Sequence, residues 1–201
     1  MKSIIALDAD GVLLDYHQAY RAAWQKAFGR LPAIRDPLAY WPMDRFDVGR
    51  LSGAELAQFR SHFDETFWAT VPAVPRAVDA CLALAAADYD LVCVSAFDAK
   101  YLGARTQNLR DLGFPIQRVI ATGNWANGVS PKAGVLHELR PAAFVDDFAP
   151  YLRGIPADIH AALILREPNG SPNTGDDLSL AHSQHADLEG FSNWWLGTRH
   201  A

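Results

Sequence analysis

The sequence predicts an α/β fold in which a doubly wound parallel sheet carries a small α-helical insertion. Short apolar runs alternate with helical stretches, which is the pattern of a parallel sheet covered on both faces. More than seventy residues separate the first apolar run from the second, which is too long for an ordinary crossover and indicates an insertion. A chain of 201 residues, half of them apolar, is long enough to bury a sizeable core.

Apolar runs and helical periodicity place the elements of the predicted sheet. Strands are predicted over Ser3 to Leu7, Leu91 to Val94, Arg118 to Ala121, Ala142 to Val145 and Ala161 to Leu165. Helices are predicted from about Pro75 to Ala87, from about Asp98 to Leu112, and from Pro131 onward. Gly113 follows the second helix as a left-handed cap.

The insertion shows helical periodicity. Its apolar positions are Tyr16, Tyr20, Ala23, Trp24, Ala27 and Phe28, and later Leu56, Phe59, Phe63 and Phe67. Ser52 and Glu55 form a capping-box pattern before the second set. We expect residues 16–69 to form a small helical unit, and residues 1–15 and 70–201 to form the α/β domain.

Polar side chains follow three of the predicted strands at the edge where α/β sheets bind ligands. Asp8 and Asp10 follow the first strand and, being two residues apart on extended chain, point the same way. Ser95 ends the second strand. Asp146 and Asp147 end the fourth. Closely spaced carboxylates need a cation between them, and Mg²⁺ is the cation that hard oxygens and a phosphate would share.

Each of these signals has a purely structural alternative. An Asp-x-Asp after a strand also caps turns, and a serine at a strand end also satisfies a turn, with Asp98 as the cap of the next helix. Lysines such as Lys132 are usually solvated. The position of Lys132 at a predicted helix start, ahead of an acidic strand end, favours a functional role.

Four segments in this order resemble the motifs of the haloacid dehalogenase superfamily. They are Asp8-Ala9-Asp10-Gly11, Val92-Cys93-Val94-Ser95, Ser130-Pro131-Lys132 and Phe144-Val145-Asp146-Asp147. The resemblance implies a Rossmann-like core with a cap inserted after the first motif, which matches the predicted helical unit at residues 16–69.

The resemblance also implies a role for each motif residue. Asp8 matches the nucleophile that forms an aspartyl phosphate, and Asp10 matches the general acid and base. Ser95 matches the hydroxyl that binds the phosphoryl oxygens, and Lys132 the ammonium that offsets their charge. The Mg²⁺ ligands implied are Asp8, the backbone carbonyl of Asp10, Asp147, and Asp146 directly or through water.

These roles predict a Mg²⁺-dependent phosphomonoester hydrolase that acts on a small organic phosphate. Haloacid dehalogenation ranks lower, because the branches of the family that break carbon–halogen bonds do not carry an Asp at the position of Asp10. A phosphomutase and a non-catalytic metabolite-binding or regulatory protein with this fold remain as alternatives.

Weaker signals concern the substrate and the C-terminal quarter. Trp41 and Arg45 lie in an aromatic and charged loop that fits a substrate contact, with Arg45 as an anion clamp; packing of Trp41 and solvation of Arg45 are at least as good an interpretation. The segment Asn124 to Gly128 is expected to border the pocket. His182, His185 and His200 fit a solvated tail, and the aromatic segment after Leu188 fits a docking helix or a dimer contact.

Composition limits the partners. A net charge of −5 argues against duplex DNA as a partner, so a small-molecule phosphate ester is expected. No apolar stretch approaches the roughly 20 residues that cross a bilayer. The N-terminus leads directly into a strand, without a charged leader and cleavage site. We therefore expect a cytoplasmic protein.

Overall fold

The sheet of the protein is parallel throughout. A computed structural model describes residues 2–123 and 130–199, and six strands within these ranges form one sheet in the order β3-β2-β1-β4-β5-β6. The predicted fold class is confirmed. The strands are β1 (Ser3–Leu7), β2 (Tyr89–Ser95), β3 (Ile116–Ala121), β4 (Ala143–Asp146), β5 (His160–Ile164) and β6 (Ser183–His185).

Helices occupy the segments between the strands. Within the described ranges the α-helices are α1 (Tyr16–Phe28), α2 (Pro42–Arg45), α3 (Gly53–Ser61), α4 (Glu65–Ala69), α5 (Ala77–Ala86), α6 (Leu102–Asp111), α7 (Ala133–Leu139) and α8 (Leu188–Arg199). Short 3₁₀ turns cover Ala99–Tyr101, Ala149–Leu152 and Gly175–Leu180. The helix predicted from Asp98 therefore starts as a 3₁₀ turn that Asp98 caps, and α7 begins just after Lys132 instead of at Pro131.

Alternate residues of the central strand pack on opposite faces of the sheet, as the pleat requires. Ile5 and Leu7 belong to one core cluster, which includes side chains from α5, α6 and α8. Ala6 belongs to the other cluster, which includes Leu136 of α7. Both faces are therefore covered, which explains why the strands are apolar along their whole length.

The predicted helical faces of the insertion pack against each other. Tyr20 and Trp24 of α1 meet Phe59 of α3 with ring centroids 5.1 and 5.3 Å apart. The capping box was wrong in detail, because the Ser52 side chain makes no capping hydrogen bond within the described part of the chain. The division of the chain at residues 15 and 70 stays a prediction.

The C-terminal quarter differs most from the prediction. His182 and His185 do not lie in a solvated tail, because backbone hydrogen bonds add β6 to the edge of the sheet beside β5. This strand has three polar residues, so it lacks the apolar run that marks the others. The docking helix is confirmed: Phe191 and Trp195 of α8 are buried against the core.

Two features that the sequence analysis singled out, the segment Asn124 to Gly128 and His200, lie outside the residues that the structure describes. Among the helices of the described ranges, none is long and apolar enough to cross a membrane.

Candidate active site

The carboxyl ends of β1, β2 and β4 meet at one cavity of about 750 Å³. Parallel pairing aligns Leu7 with both Cys93 and Val145, so the residues that follow them emerge at the same edge. The Asp8 amide donates to the Val145 carbonyl at 2.9 Å, which continues the sheet to the start of the first motif. Asp8, Asp10, Ser95 and Asp147 all line the cavity. The structure thus brings together the polar strand ends that the sequence predicted.

Lys132 lies beneath the cavity and is fully buried. Its Nζ lies 2.7 Å from Asp8 Oδ1 and donates to Asp146 Oδ2 at 2.6 Å. Burial by itself lowers the pKa of Lys132, but Asp146 and Asp8 outweigh burial, so the pKa lies above its usual value. Lys132 is therefore a charged ammonium between two carboxylates, which supports the functional interpretation of this residue over the solvated one.

Asp147 forms an ion pair with Arg166 that was not predicted from the sequence. Arg166 lies just beyond the end of β5, and its Nε and Nη2 lie 2.8 and 2.6 Å from Asp147 Oδ2. The Tyr40 hydroxyl donates to the same oxygen at 3.3 Å. Burial raises the pKa of Asp147, and Arg166 opposes this effect. One face of Asp147 is therefore already occupied by a protein cation.

Hydrogen bonds from the backbone and from a distant loop hold the turn after β4. The Phe148 amide donates to Asp146 Oδ1 at 2.9 Å. Asn173 donates from its amide to the Asp147 carbonyl at 2.8 Å and accepts from the Ala149 amide at 2.7 Å. These contacts fix the directions of the two acids, so the loop that contains Asn173 supports the site without lining it.

Asp10 is held apart from the other acids by Arg105 of α6. The fully buried Arg105 donates through Nη2 to both carboxylate oxygens of Asp10, at 2.8 and 3.0 Å. Its guanidinium lies over the rings of Trp68 and Phe97, 4.9 and 5.6 Å from their centroids. Burial raises the pKa of Asp10, Arg105 lowers it, and Asp8 raises it, with a net increase. Asp10 therefore takes up a proton at a higher pH than an ordinary aspartate.

The donor set fits a hard divalent cation. Asp8, Asp146 and Asp147 are buried, and one carboxylate oxygen from each lies within 4.8 Å of the others. Carboxylate oxygens are the ligands that Mg²⁺ prefers. The Asp10 side chain is outside this group, in keeping with a contribution through its backbone carbonyl. The chain also supplies Lys132 and Arg166 here, so any metal shares these acids with two protein cations.

The two weaker substrate predictions have different outcomes. Trp41 lines the cavity and is 44% exposed at its rim. Arg45 instead donates to the Glu167 carboxylate at 2.7 Å and to the Pro37 carbonyl at 2.6 Å, and it does not line the cavity. Its guanidinium holds the insertion to the segment after β5, so Arg45 is not placed to bind an anionic group in the cavity.

Sequence reasoning missed Arg105, Arg166 and the contact of Tyr40, a residue of the aromatic loop, with Asp147. Arg166 had a usable signal, because it follows the predicted strand Ala161 to Leu165 at the edge where ligands bind. Arg105 had none, since an arginine inside a helix is usually solvated. Tyr40 reaches Asp147 across 107 positions of the chain, a contact that only the packing of the insertion decides.

Comparison with solved structures places this geometry in a known fold. The L-2-haloacid dehalogenase from Xanthobacter autotrophicus matches with a TM-score of 0.61 and 17% identity, over 98% of this chain and 99% of that one. A HAD family hydrolase from Deinococcus radiodurans R1, solved with bound phosphate and sodium, matches with a TM-score of 0.62 and 17% identity, over 93% and 92%. A β-phosphoglucomutase candidate from Thermotoga maritima matches with a TM-score of 0.58 and 15% identity, over 97% and 99%. The chain has the haloacid dehalogenase fold.

This fold supports the resemblance inferred from the four motifs, and its members named above include hydrolytic enzymes. No family model matches the sequence, and no curated protein matches it. Identities of 15–17% to these neighbours establish the haloacid dehalogenase fold alone. The activity must be argued from the chemistry of the site, because this fold carries dehalogenases and phosphate-binding hydrolases alike.

Proposed function

We propose that the protein is a Mg²⁺-dependent phosphomonoester hydrolase that acts on a small organic phosphate through an aspartyl phosphate on Asp8. The observation that supports this most is that Asp8, beside Lys132, and Asp10, beside Arg105, line the same cavity. Burial raises the pKa of Asp10 above its usual value and Arg105 fixes its position, and both suit a group that donates and accepts protons. Cleavage of a phosphate ester needs that proton, because an alkoxide is a poor leaving group.

The reaction has two steps. A carboxylate oxygen of Asp8 attacks phosphorus, the bond from phosphorus to the ester oxygen breaks, and protonated Asp10 gives its proton to the departing alcohol. Water then attacks the phosphorus of the aspartyl phosphate while Asp10 takes one of its protons. The bond between phosphorus and Asp8 breaks, which regenerates the Asp8 carboxylate and releases inorganic phosphate.

Other groups in the site orient the reactants and offset charge. Lys132 fixes the Asp8 carboxylate through its 2.7 Å contact and adds positive charge beneath the phosphoryl group. Ser95, buried at the end of β2, lies where its hydroxyl and the neighbouring backbone would bind phosphoryl oxygens. Mg²⁺ held by Asp8, Asp146 and Asp147 would offset the negative charge of the phosphoryl oxygens.

Asp8→Asn tests the proposal directly. We expect Mg²⁺-dependent phosphate release from a panel of small phosphomonoesters, and at least about a 10³-fold loss of that release in the variant, because a neutral amide is a poor nucleophile. Asp79→Asn, at an exposed position on α5, is the matched control and should keep full activity.

Two results would contradict the proposal. Full activity of folded Asp8→Asn protein would exclude an aspartyl phosphate on Asp8 as the intermediate. Chloride release from 2-chloropropionate without phosphate release would show that the protein is a dehalogenase. A phosphomutase would instead relocate the phosphoryl group on a sugar phosphate, so phosphate release and isomer formation are measured together.

Arg166→Gln tests how the metal shares Asp147. We expect Mg²⁺ to bind the variant about tenfold more tightly than the wild type, because the guanidinium no longer competes for the carboxylate. Isothermal titration of Mg²⁺ into metal-free protein measures this without any turnover. Arg153→Gln, which breaks an Arg–Asp pair away from the cavity, is the control. Weaker Mg²⁺ binding to Arg166→Gln would show that Arg166 assists the metal site.

A further inference from the structure

Aromatic side chains, here called the aromatic wall, form a large part of the lining of the cavity. Seven of the fifteen residues that line it are Tyr, Trp or Phe, and most of these come from the insertion. They include Tyr16, Tyr20, Tyr40, Trp41 and Trp68. The leaving group of a phosphomonoester bound at Asp8 would therefore lie in a cavity lined largely by rings.

Some of these rings are held in place. Trp68 stacks on Phe97 and Tyr101, with centroids 5.8 and 5.6 Å apart and planes within 27°. Trp41 meets Tyr40 edge-on at 5.0 Å, while its 44% exposure leaves ring surface open at the rim. Ligand cavities are lined predominantly by apolar and aromatic side chains, and the lining of this cavity has that character.

Charge on this wall does not suit a second anionic group. Among the described residues that line the cavity, Arg166 is the one Lys or Arg side chain, and Asp147 and Glu167 already pair with it. Two polar groups of the wall are engaged: His17 Nε2 lies 2.9 Å from the Tyr40 carbonyl, and the Tyr40 hydroxyl donates to Asp147. A leaving group with a second negative charge would therefore meet no unpaired Lys or Arg among the described residues that line the cavity.

We propose that this aromatic wall is a subsite for an uncharged aromatic leaving group, so that the substrate is an aryl-alkyl or similar aromatic phosphomonoester. The inference rests on the proposed phosphomonoesterase function, because the Asp8 side of the cavity must hold the phosphate. Ring-on-ring contacts and burial of the apolar group supply the affinity.

Binding to the Asp8→Asn protein tests the subsite without turnover. Three unactivated primary phosphates are titrated by calorimetry in the presence of Mg²⁺: 2-phenylethyl phosphate, glycerol 1-phosphate and 3-phosphoglycerate. We expect 2-phenylethyl phosphate to bind at least about tenfold more tightly than the other two, the gain from burying one phenyl group. Equal or weaker binding of the phenyl compound, or no binding, would overturn the proposal.

A second variant in the same background locates the preference. Trp41→Ala should reduce the ratio of phenyl to glycerol affinities to below about threefold. Trp194→Ala, which removes a partly exposed tryptophan of α8 outside the cavity, should leave the ratio unchanged. An unchanged ratio in folded Trp41→Ala protein would place the preference elsewhere and overturn the assignment to this wall.

The two proposals fail in different ways. Equal binding of 2-phenylethyl phosphate and glycerol 1-phosphate, with equal rates of hydrolysis by the wild-type enzyme, would refute the aromatic subsite. The phosphomonoesterase proposal would stand. Tenfold preferential binding with no Asp8-dependent phosphate release from any ester would refute the phosphomonoesterase and keep an aromatic phosphate-binding cavity.

Discussion

Lys132→Met is expected to lose both stability and activity. The variant leaves Asp8 and Asp146 buried without the ammonium that now lies 2.7 and 2.6 Å from their oxygens. Removing one partner of a buried ion pair costs about 3–5 kcal/mol of unfolding free energy. Phosphate release should fall by about 10²–10³-fold, the loss that follows removal of one charged donor from a reacting centre.

Urea unfolding in metal-free buffer and phosphate release measure the two effects separately. Lys100→Met, which breaks an exposed pair with Asp98 on the surface, is the matched control and should change stability by less than about 1 kcal/mol. Lys132→Arg should not restore activity, because the site is fully buried and a guanidinium is larger and planar. Normal stability of Lys132→Met would show that the ion pair is not needed to hold the two acids.

The stability of Lys132→Met relative to wild type should depend on pH in a defined direction. Burial raises the pKa of Asp146, and Lys132 offsets part of this effect, so removing Lys132 raises the pKa further. A carboxyl whose pKa is higher in the folded state than in the unfolded state makes the folded state relatively more stable as the pH falls. The stability deficit of Lys132→Met relative to wild type should therefore shrink as the pH falls towards about 8, the raised pKa of Asp146 in the wild type, and change little below that pH, where both proteins have this carboxyl protonated.

Gly11→Ala is expected to damage the site even though it adds one methyl group. Gly11 has a φ of +91°, and a Cβ built there would lie 2.2 Å from Asp147 Oδ2 and 2.6 Å from Arg166 Nη2. The ion pair must move or the turn must open, and we expect a loss of about 2–4 kcal/mol in unfolding free energy. Phosphate release should fall at least about 100-fold, because Asp147 loses its position.

Gly29→Ala separates backbone strain from collision. Gly29 ends α1 with a φ of +70°, but a Cβ there would meet nothing within 4 Å. Gly29→Ala should therefore lower the unfolding free energy by about 1–2 kcal/mol through backbone conformation alone, and phosphate release should stay normal. Equal effects of the two substitutions on activity would mean that the contact with Asp147 and Arg166 does not matter.

The candidate site was largely predictable wherever it lies at the ends of strands. Asp8, Ser95, Asp146 and Asp147 follow apolar runs, and parallel pairing brings the ends of such runs to one edge. The same reasoning missed β6, since a short polar edge strand is formed by backbone hydrogen bonds and leaves no apolar pattern. Its existence depends on β5 being there to pair with.

The sequence by itself determined the α/β order, the four motifs and the acids and lysine that carry the proposed chemistry. These follow from local periodicity and from residue types at strand ends. Tertiary structure alone decided which cation neutralises which acid: Arg105 meets Asp10 across 95 positions and Arg166 meets Asp147 across 19. Such pairs depend on distances between helices, strands and the insertion, and these distances are set by packing of the whole chain, which no short segment encodes.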